Sequence, residues 1–183
     1  MVDSGAFGEL AFQNMLYWGV HPRHVRALIN THAHVDRSGG DWIFHGYGIT
    51  IAAGRRDGIA IQRAEEKYMA SDLIGVKPRG VPVGWFIDED TEICDGVVTI
   101  MTPGHTKSSV AVVVENEIVL AGDVFGPLSK NWESDEREWL MSLERLKELE
   151  PRTLCTNNTC IYGIRKVIES IDYVISQGPV WIS

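Results

Sequence analysis

The spacing of apolar residues along the chain changes between a helical period and a strand period. The helical period predicts helices over four stretches: residues 7–18, 56–69, 135–150 and 164–175. Gly19 follows the first stretch and Pro151 follows the third, as expected at helix C-termini. Asp135 and Glu138 have the spacing of a capping box, so the third helix is predicted to begin at Asp135.

Short runs rich in Val and Ile predict the strands. They occupy residues 25–30, 49–53, 92–101, 109–115, 117–121 and 152–155. Glu115-Asn116 is predicted to form a tight hairpin turn between two of them, and the Gly- and Pro-rich residues 75–84 are predicted to form a loop. Helices and strands alternate at both ends around a strand-rich middle. This order predicts one layered α/β (α+β) domain over residues 1–183.

Composition and charge narrow the class of protein. Hydrophobic residues make up 44% of the chain and charged residues 23%, which is ordinary for a globular domain. The net charge of −8 and the pI of about 5.2 disfavour a nucleic-acid partner. No apolar run approaches the roughly 20 residues that cross a bilayer, and no signal peptide opens the chain. We therefore expect a cytoplasmic protein with no membrane partner.

Ligand-type side chains follow directly after three of the predicted strands. The first group is His32, His34 and Asp36, in the stretch THAHVDRSGG. The second is His105 in TPGHT, and the third is Asp123 in LAGDVFG. Functional sites are commonly built on loops of this kind. The isolated histidines are expected to be ordinary surface or core residues: His21, His24 and His45.

These side chains suit a zinc ion. Zinc favours nitrogen and oxygen ligands, and a catalytic zinc typically has three protein ligands and a water. His32, His34 and His105 would supply three nitrogens. Asp36 and Asp123 would hold a second metal or orient the water.

Together, these motifs resemble the metallo-β-lactamase-fold superfamily. The matching stretches are THAHVDRSGG, TPGHT and LAGDVFG, in the family's order, and VDSG at residues 2–5 is similar to the family's VDTG strand end. Residues 135–150 and the strand after them resemble the family's helix and last ligand strand. The resemblance covers essentially the whole chain. It implies a four-layer αββα sandwich with the metal site at one edge of two packed sheets.

Two family positions differ in this chain. Arg37 stands where many members have a histidine that binds the second metal. It is expected either to pair with a carboxylate such as Asp36 or Asp123, or to be an ordinary solvated arginine. The family's late histidine ligand corresponds to Asn157, whose amide oxygen is a weak zinc ligand. The resemblance therefore implies one zinc at the three histidines and a weak or empty second site.

The sequence allows three chemical states for Cys155 and Cys160. Cys94, Cys155 and Cys160 do not make a secreted disulfide framework. Cys155 and Cys160 bracket a four-residue loop and could pair under oxidation, but two separate reduced thiols are the expected state. Alternatively, one of these two thiolates replaces the late histidine as a zinc ligand.

The chain begins at the stretch that resembles VDTG, whereas family members usually carry two or more strands before it. The sandwich is therefore expected to lack its first strands and to expose a sheet edge or an apolar face. A misassigned gene start, a truncated chain, or a homo-oligomer whose partner subunit covers the gap would each account for this.

The resemblance implies a zinc-dependent hydrolase, in which a metal-bound hydroxide attacks a carbonyl or phosphorus centre. Asp36 would be the catalytic residue that orients the nucleophile and accepts its proton. A small ester, lactone, thioester or related amide is the expected substrate. A glyoxalase II-like or lactonase-like enzyme is favoured over a β-lactamase, because Gly126 stands where β-lactamases usually place a substrate-binding lysine.

Two other classes stay open. The chain could be a non-catalytic, zinc-stabilised binding or assembly domain with a degenerate second metal site. An iron redox protein is disfavoured, because the diiron members usually carry HxExD and Ala33-His34-Val35 does not match it. Four aromatic residues could line an apolar pocket, although at least two are expected in the core: Trp85, Phe86, Phe125 and Trp132.

Overall fold

The computed structural model describes all residues from Met1 to Ser183. Seven α-helices are present: α1 (Gly8–Tyr17), α2 (Val35–Ser38), α3 (Asp41–Gly46), α4 (Arg55–Arg63), α5 (Ser71–Ile74), α6 (Glu136–Glu148) and α7 (Ile164–Gln177). Eleven strands accompany them: β1 (Ala27–Asn30), β2 (Thr50–Gly54), β3 (Trp85–Ile87), β4 (Thr91–Cys94), β5 (Val97–Met101), β6 (Val110–Val114), β7 (Ile118–Leu120), β8 (Leu128–Ser129), β9 (Thr153–Thr156), β10 (Thr159–Tyr162) and β11 (Trp181–Ile182).

The chain divides into two compact units, Met1–Ile87 and Asp88–Ser183. The single domain expected from the sequence stays a prediction. The first unit contains a parallel sheet in the order β1-β2-β3, extended by an isolated parallel bridge between Val2 and Ile29. Its core surrounds Leu28, Phe44 and Ile51, which are fully buried. Because β1 is buried from Leu28 to Asn30, the loop that follows it starts from inside this unit.

The second unit is built on a six-stranded sheet in the order β10-β9-β7-β6-β5-β4. All neighbouring strands are antiparallel except β7 and β9. Apolar residues of α6 and α7 share one core with strand residues; the fully buried members include Ala111, Val119, Leu143, Leu146, Leu154, Val167 and Ile171. A short parallel pair of β8 and β11 completes the unit.

The helices agree with the sequence prediction at three of four places. In α6, the Asp135 carboxylate accepts the Glu138 N–H at 2.9 Å, which confirms the predicted N-cap. The predicted helix over residues 56–69 is too long. It ends at Arg63, because Ala64 adopts a left-handed conformation with φ of 51°.

The strand prediction missed two hairpins, β4–β5 and β9–β10. The run at residues 92–101 was expected to be one strand, but it is β4 and β5 joined by Asp95-Gly96, with Cys94 opposite Val97. Gly96 has φ of 73°, and Asp-Gly is a strong signal for a two-residue turn. The predicted turn at Glu115-Asn116 is confirmed, since both residues have positive φ between paired strands.

The cysteine prediction was wrong. Cys155 and Cys160 are directly opposite each other in β9 and β10, and they form a disulfide. The expected pair of separate thiols is therefore absent, and neither sulfur is available as a thiolate ligand in this state. Cys94 is exposed and reduced.

None of the helices combines the length and the apolar character that a membrane span requires.

A buried carboxylate links three segments of the first unit. Asp41, at the start of α3, is fully buried; it accepts hydrogen bonds from the Ser4 hydroxyl at 2.7 Å and from the Asn30 amide at 2.6 Å. Ser4 Oγ in turn accepts the Gly40 N–H at 3.1 Å. Burial raises the pKa of Asp41 from 3.8 to about 8, although these two hydrogen bonds oppose the shift. Asp41 is therefore protonated in the folded chain at neutral pH.

This pKa predicts a pH dependence of stability. Between about pH 4 and pH 8 the unfolded chain has lost the Asp41 proton and the folded chain has kept it, so stability falls as pH rises. The slope from this one group is at most about 1.4 kcal/mol per pH unit. Asp41→Asn should remove it. We expect urea unfolding with a chelator present to show wild-type stability decreasing from pH 5 to pH 8 relative to Asp41→Asn. The control is exposed Asp95→Asn, and parallel pH curves for wild type and Asp41→Asn would contradict the assignment.

Candidate metal centre

The first unit places two of the expected ligands together. His32 and His34 follow β1, are 1% and 3% exposed, and their rings meet edge to face with centroids 4.5 Å apart. Buried imidazoles on a loop need a fixed backbone to hold them in one geometry. Each residue that flanks a histidine in this loop has that support, because its N–H is hydrogen-bonded to another segment.

The loop is held at both ends by bonds from other segments. At the start, the Asp3 carboxylate accepts the Thr31 N–H at 2.7 Å and the Thr31 hydroxyl at 3.0 Å. At the far end, the Val35 N–H donates to the Met69 carbonyl at 2.9 Å. The VDSG stretch noted in the sequence therefore has a structural role, because its aspartate fixes the residue before His32.

Ala33, between the two histidines, is held by a buried carboxylate. Asp57 in the first turn of α4 is fully buried, and it accepts the Ala33 N–H at 2.7 Å. The Tyr68 hydroxyl donates to the other Asp57 oxygen at 3.3 Å. On the opposite side, the Ser38 hydroxyl donates to the Ala33 carbonyl at 2.7 Å. Both polar groups of the Ala33 backbone are thus satisfied by side chains, which fixes the turn between His32 and His34.

The two glycines of THAHVDRSGG are explained by close backbone packing. A Cβ on Gly39 would lie 2.4 Å from the Val35 carbonyl oxygen, and one on Gly40 would lie 2.4 Å from the Cα of Gly8. Only glycine leaves room for these approaches. The segment after the ligand loop is therefore packed directly on the first residue of α1 and the residues just before it.

Asp36 and Arg37 form an ion pair beside the histidines. Arg37 Nε lies 3.5 Å from Asp36 Oδ2, with side chains 12% and 31% exposed. The expected pairing of Arg37 with a carboxylate is confirmed for Asp36. The pair leaves Asp36 partly open to solvent, which suits a group that exchanges a proton with a substrate or water.

The second unit presents His105 in an oriented state. His105 is 3% exposed, and its Nδ1 lies 2.7 Å from the Pro127 carbonyl oxygen. A carbonyl only accepts, so Nδ1 carries the proton and Nε2 has the lone pair that a metal requires. Gly104 before it has φ of 130°, and a Cβ there would meet the Trp139 backbone at 2.3 Å. The Trp132 ring, 5.2 Å away between centroids, covers the imidazole.

Asp123 lies next to His105 within this unit. A Cβ added to Gly126 would be 3.1 Å from both Asp123 Cβ and His105 Cε1, so the two ligand candidates flank the same glycine. Asp123 follows β7 and is half-buried, and its carbonyl accepts the Gly126 N–H at 2.7 Å. The tight turn at residues 123–126 thus brings a carboxylate beside an oriented imidazole.

Asn157 lies close to the same turn but is exposed. Its N–H donates to the Gly122 carbonyl at 2.7 Å, and its φ of 53° places it at the tip of the β9–β10 hairpin. The Thr156 hydroxyl is 3.0 Å from Asn157 Oδ1 and donates to that oxygen or to Gly122 O. The role of Asn157 as a metal ligand stays a prediction.

The four aromatic residues are mostly structural. Trp132 is buried, Phe86 packs against the first core and Phe125 packs against the second. The expectation that at least two are core residues is confirmed. Phe125 also lines a cavity of about 480 Å³ with Ile161 and α7.

Sequence reasoning missed the residues that hold the ligands in place. Asp57 lies in a predicted helix whose polar residues gave no sign of burial, and Pro127 acts through its carbonyl, which every residue has. A weak signal existed for Ser38, since Ser and Thr often bond to nearby backbone carbonyls.

Comparison with known proteins identifies the family. A probable metallo-hydrolase of Methanocaldococcus jannaschii is 24% identical over 138 residues, which are 73% of this chain and 66% of that protein. An N-acyl homoserine lactonase of a Bacillus species is 28% identical over 142 residues, which are 72% of this chain and 53% of the lactonase. The chain thus spans between about half and two thirds of these relatives.

A solved structure gives the fold. A motif mutant of a metallo-beta-lactamase from Cronobacter sakazakii matches with a TM-score of 0.78 at 16% identity, covering 96% of this chain and 82% of that one. The expected metallo-β-lactamase fold is therefore confirmed. The model of the metallo-beta-lactamase superfamily matches residues 1–156. Since this match covers well over half of the sequence, the chain belongs to the metallo-beta-lactamase superfamily.

Proposed function

We propose that this protein is a zinc-dependent hydrolase of a small ester, lactone, thioester or related amide. The superfamily consists of metal-dependent hydrolases, and the lactonase relative makes a lactone the first substrate to test. The observation that carries the proposal is the hydrogen bond from His105 Nδ1 to the Pro127 carbonyl, which makes Nε2 the nitrogen that could bind a metal. A small molecule is the proposed partner.

The proposed ligands of the metal are His32, His34 and His105, with Asp123 beside them. Three imidazoles and one carboxylate are the donor set that zinc prefers. The three histidines are buried and Asp123 is half-buried, so the donors are held in low dielectric, where a cation would be bound strongly. Imidazole and carboxylate also bind iron, so the metal's identity is part of the proposal.

When bound, zinc would activate a water molecule and polarise the carbonyl of the substrate. Asp36 would hold the attacking water by a hydrogen bond and take its proton at a carboxylate oxygen. The Arg37 guanidinium, 3.5 Å from Asp36, would hold that carboxylate in place. Asp57 and Asp3 would act earlier, by fixing the backbone that carries His32 and His34.

We propose one tightly held zinc and a weak second site. Arg37 replaces a histidine ligand that many members use, and the Cys155–Cys160 disulfide removes the thiolate alternative. The second site is left with Asp36, Asp123 and the exposed Asn157. A cytoplasmic location stays a prediction; a disulfide of this kind is more typical of oxidising compartments.

Metal content tests the ligand set. Protein purified without added metal should contain one zinc per chain by mass spectrometry, and His105→Ala should lose it, because a three-imidazole site reduced to two binds zinc weakly. The matched control is His45→Ala, an exposed histidine on α3, which should keep the zinc. Two metals per chain would show that the second site is filled. No metal in the wild type would overturn the hydrolase proposal and favour a non-catalytic domain.

Asp36 should separate catalysis from metal binding. Loss of a general base typically costs about 10²–10⁴-fold in rate. We therefore expect Asp36→Asn to keep its zinc and to lose about that much in kcat on an N-acyl homoserine lactone, an S-acyl thioester or a nitrophenyl ester. Asp95→Asn, at an exposed turn, is the control. An unchanged kcat in Asp36→Asn would show that another group takes the proton.

Asp57 should tune metal affinity through the Ala33 backbone. Loss of an indirect support of this kind typically costs about 10–100-fold in metal affinity. Asp57→Leu removes the acceptor for the Ala33 N–H, whereas Asp57→Asn keeps a carbonyl oxygen in its place. Zinc titration against a competing chelator should show weak binding in Asp57→Leu and near-normal binding in Asp57→Asn. Equal affinities in the two variants would show that this hydrogen bond does not position the ligands.

A further inference from the structure

Helix α1 carries apolar side chains on two of its faces. Its inner face packs Ala11, Phe12 and Met15 against the first core. Its outer face carries an exposed stripe formed by Phe7, Leu10, Asn14, Tyr17 and Trp18, called the α1 stripe here. These positions lie within about 100° of one another at 3.6 residues per turn. A contiguous exposed apolar patch of several hundred Å² marks an interaction site on a soluble protein, so the α1 stripe is expected to be covered.

The α1 stripe is large enough to form part of a protein interface. Its apolar members are 60%, 59%, 82% and 78% exposed in chain order. With about 150–250 Å² for a full aromatic side chain, this is on the order of 500 Å² of apolar surface. Each partner in a standard protein interface buries about 800 Å². The α1 stripe alone would provide more than half of that area.

The charge pattern favours a second copy of this chain as the cover. Residues 4–22 contain one charged side chain, Glu9, although 23% of the chain is charged. Two copies with a net charge of −8 each repel one another, and they approach at least cost through a face without charge. Interface cores are likewise depleted in charge and enriched in Tyr, Trp and Phe.

The order of residues on the stripe is also self-complementary. Asn14 lies near its middle, with Leu10 and Phe7 on one side and Tyr17 and Trp18 on the other. A two-fold axis through Asn14 would pair the helices antiparallel, so that Leu10 meets the Tyr17 and Trp18 rings of the second copy. A single polar Asn in an apolar helix seam is a known device for fixing register.

We propose that this protein forms a symmetric dimer through antiparallel packing of α1 against α1 of a second copy, with Asn14 facing Asn14. Apolar contact drives this association and charge opposes it. The dimer is therefore stabilised by added salt, which screens the repulsion between the two acidic chains.

Light scattering after size exclusion, over low to high micromolar protein, tests the dimer. Wild type should be a dimer whose affinity rises with salt. Tyr17→Glu should be a monomer with unchanged far-UV circular dichroism and a melting temperature that no longer depends on protein concentration. Adding Leu10→Lys to it should restore the dimer, since the introduced ammonium would face the introduced carboxylate of the second copy. The control Met141→Glu changes an exposed residue on α6 and should stay dimeric.

Cross-linking tests the symmetry. In a Cys94→Ser background, Asn14→Cys should be joined across the dimer by a short bis-maleimide, while Met141→Cys should not. A wild-type monomer at all concentrations, or a dimer that survives Tyr17→Glu, would overturn the proposal. Binding of a monomeric wild type to phosphatidylcholine–phosphatidylglycerol vesicles, lost in Tyr17→Glu, would also overturn it by assigning the stripe to a lipid surface.

Discussion

The candidate site depends on the hydrogen bond between the Ala33 N–H and the buried Asp57 carboxylate. Ala33 has no functional group of its own, but it sets the distance and angle between His32 and His34. A loop carrying two buried imidazoles loses conformational entropy for every residue that it orders. Here the order is supplied from outside the loop, by Asp57, Asp3, Ser38 and the Met69 carbonyl. The candidate ligands His32 and His34 are therefore held in one geometry by the protein itself.

The two units hold their candidate ligands in place in different ways. In the first, side-chain carboxylates and hydroxyls hold the backbone of the ligand loop. In the second, the backbone holds the side chain, since the Pro127 carbonyl sets the tautomer of His105 and the Gly104 turn packs on Trp139. The candidate ligands of each unit are thus held by contacts within that unit.

Contacts between residues close in sequence could be predicted, whereas contacts between distant residues could not. The ligand candidates were found because HxHxD, GH and GD each follow an apolar strand, and both strands and ligand types are local patterns. Asp95-Gly96 is also a local signal for a turn. Without that turn, the prediction joined β4 and β5 into one strand. In contrast, Asp57 is 24 residues from Ala33 and Pro127 is 22 from His105. No local sequence pattern encodes such pairs, so only the three-dimensional structure reveals them.

The disulfide also could not be predicted from the sequence, and it affects which side chains can reach the candidate metal site. Spacing alone allowed pairing, free thiols or a thiolate ligand, and only the register of β9 against β10 decides among them. The bond closes the hairpin whose tip is Asn157, and the Asn157 N–H is tied to Gly122, the residue before Asp123. A hairpin fixed on both sides in this way cannot easily bring a different side chain to the metal. The fixed hairpin thus supports the proposal of a single-metal centre, because it restricts which side chains can reach the candidate site.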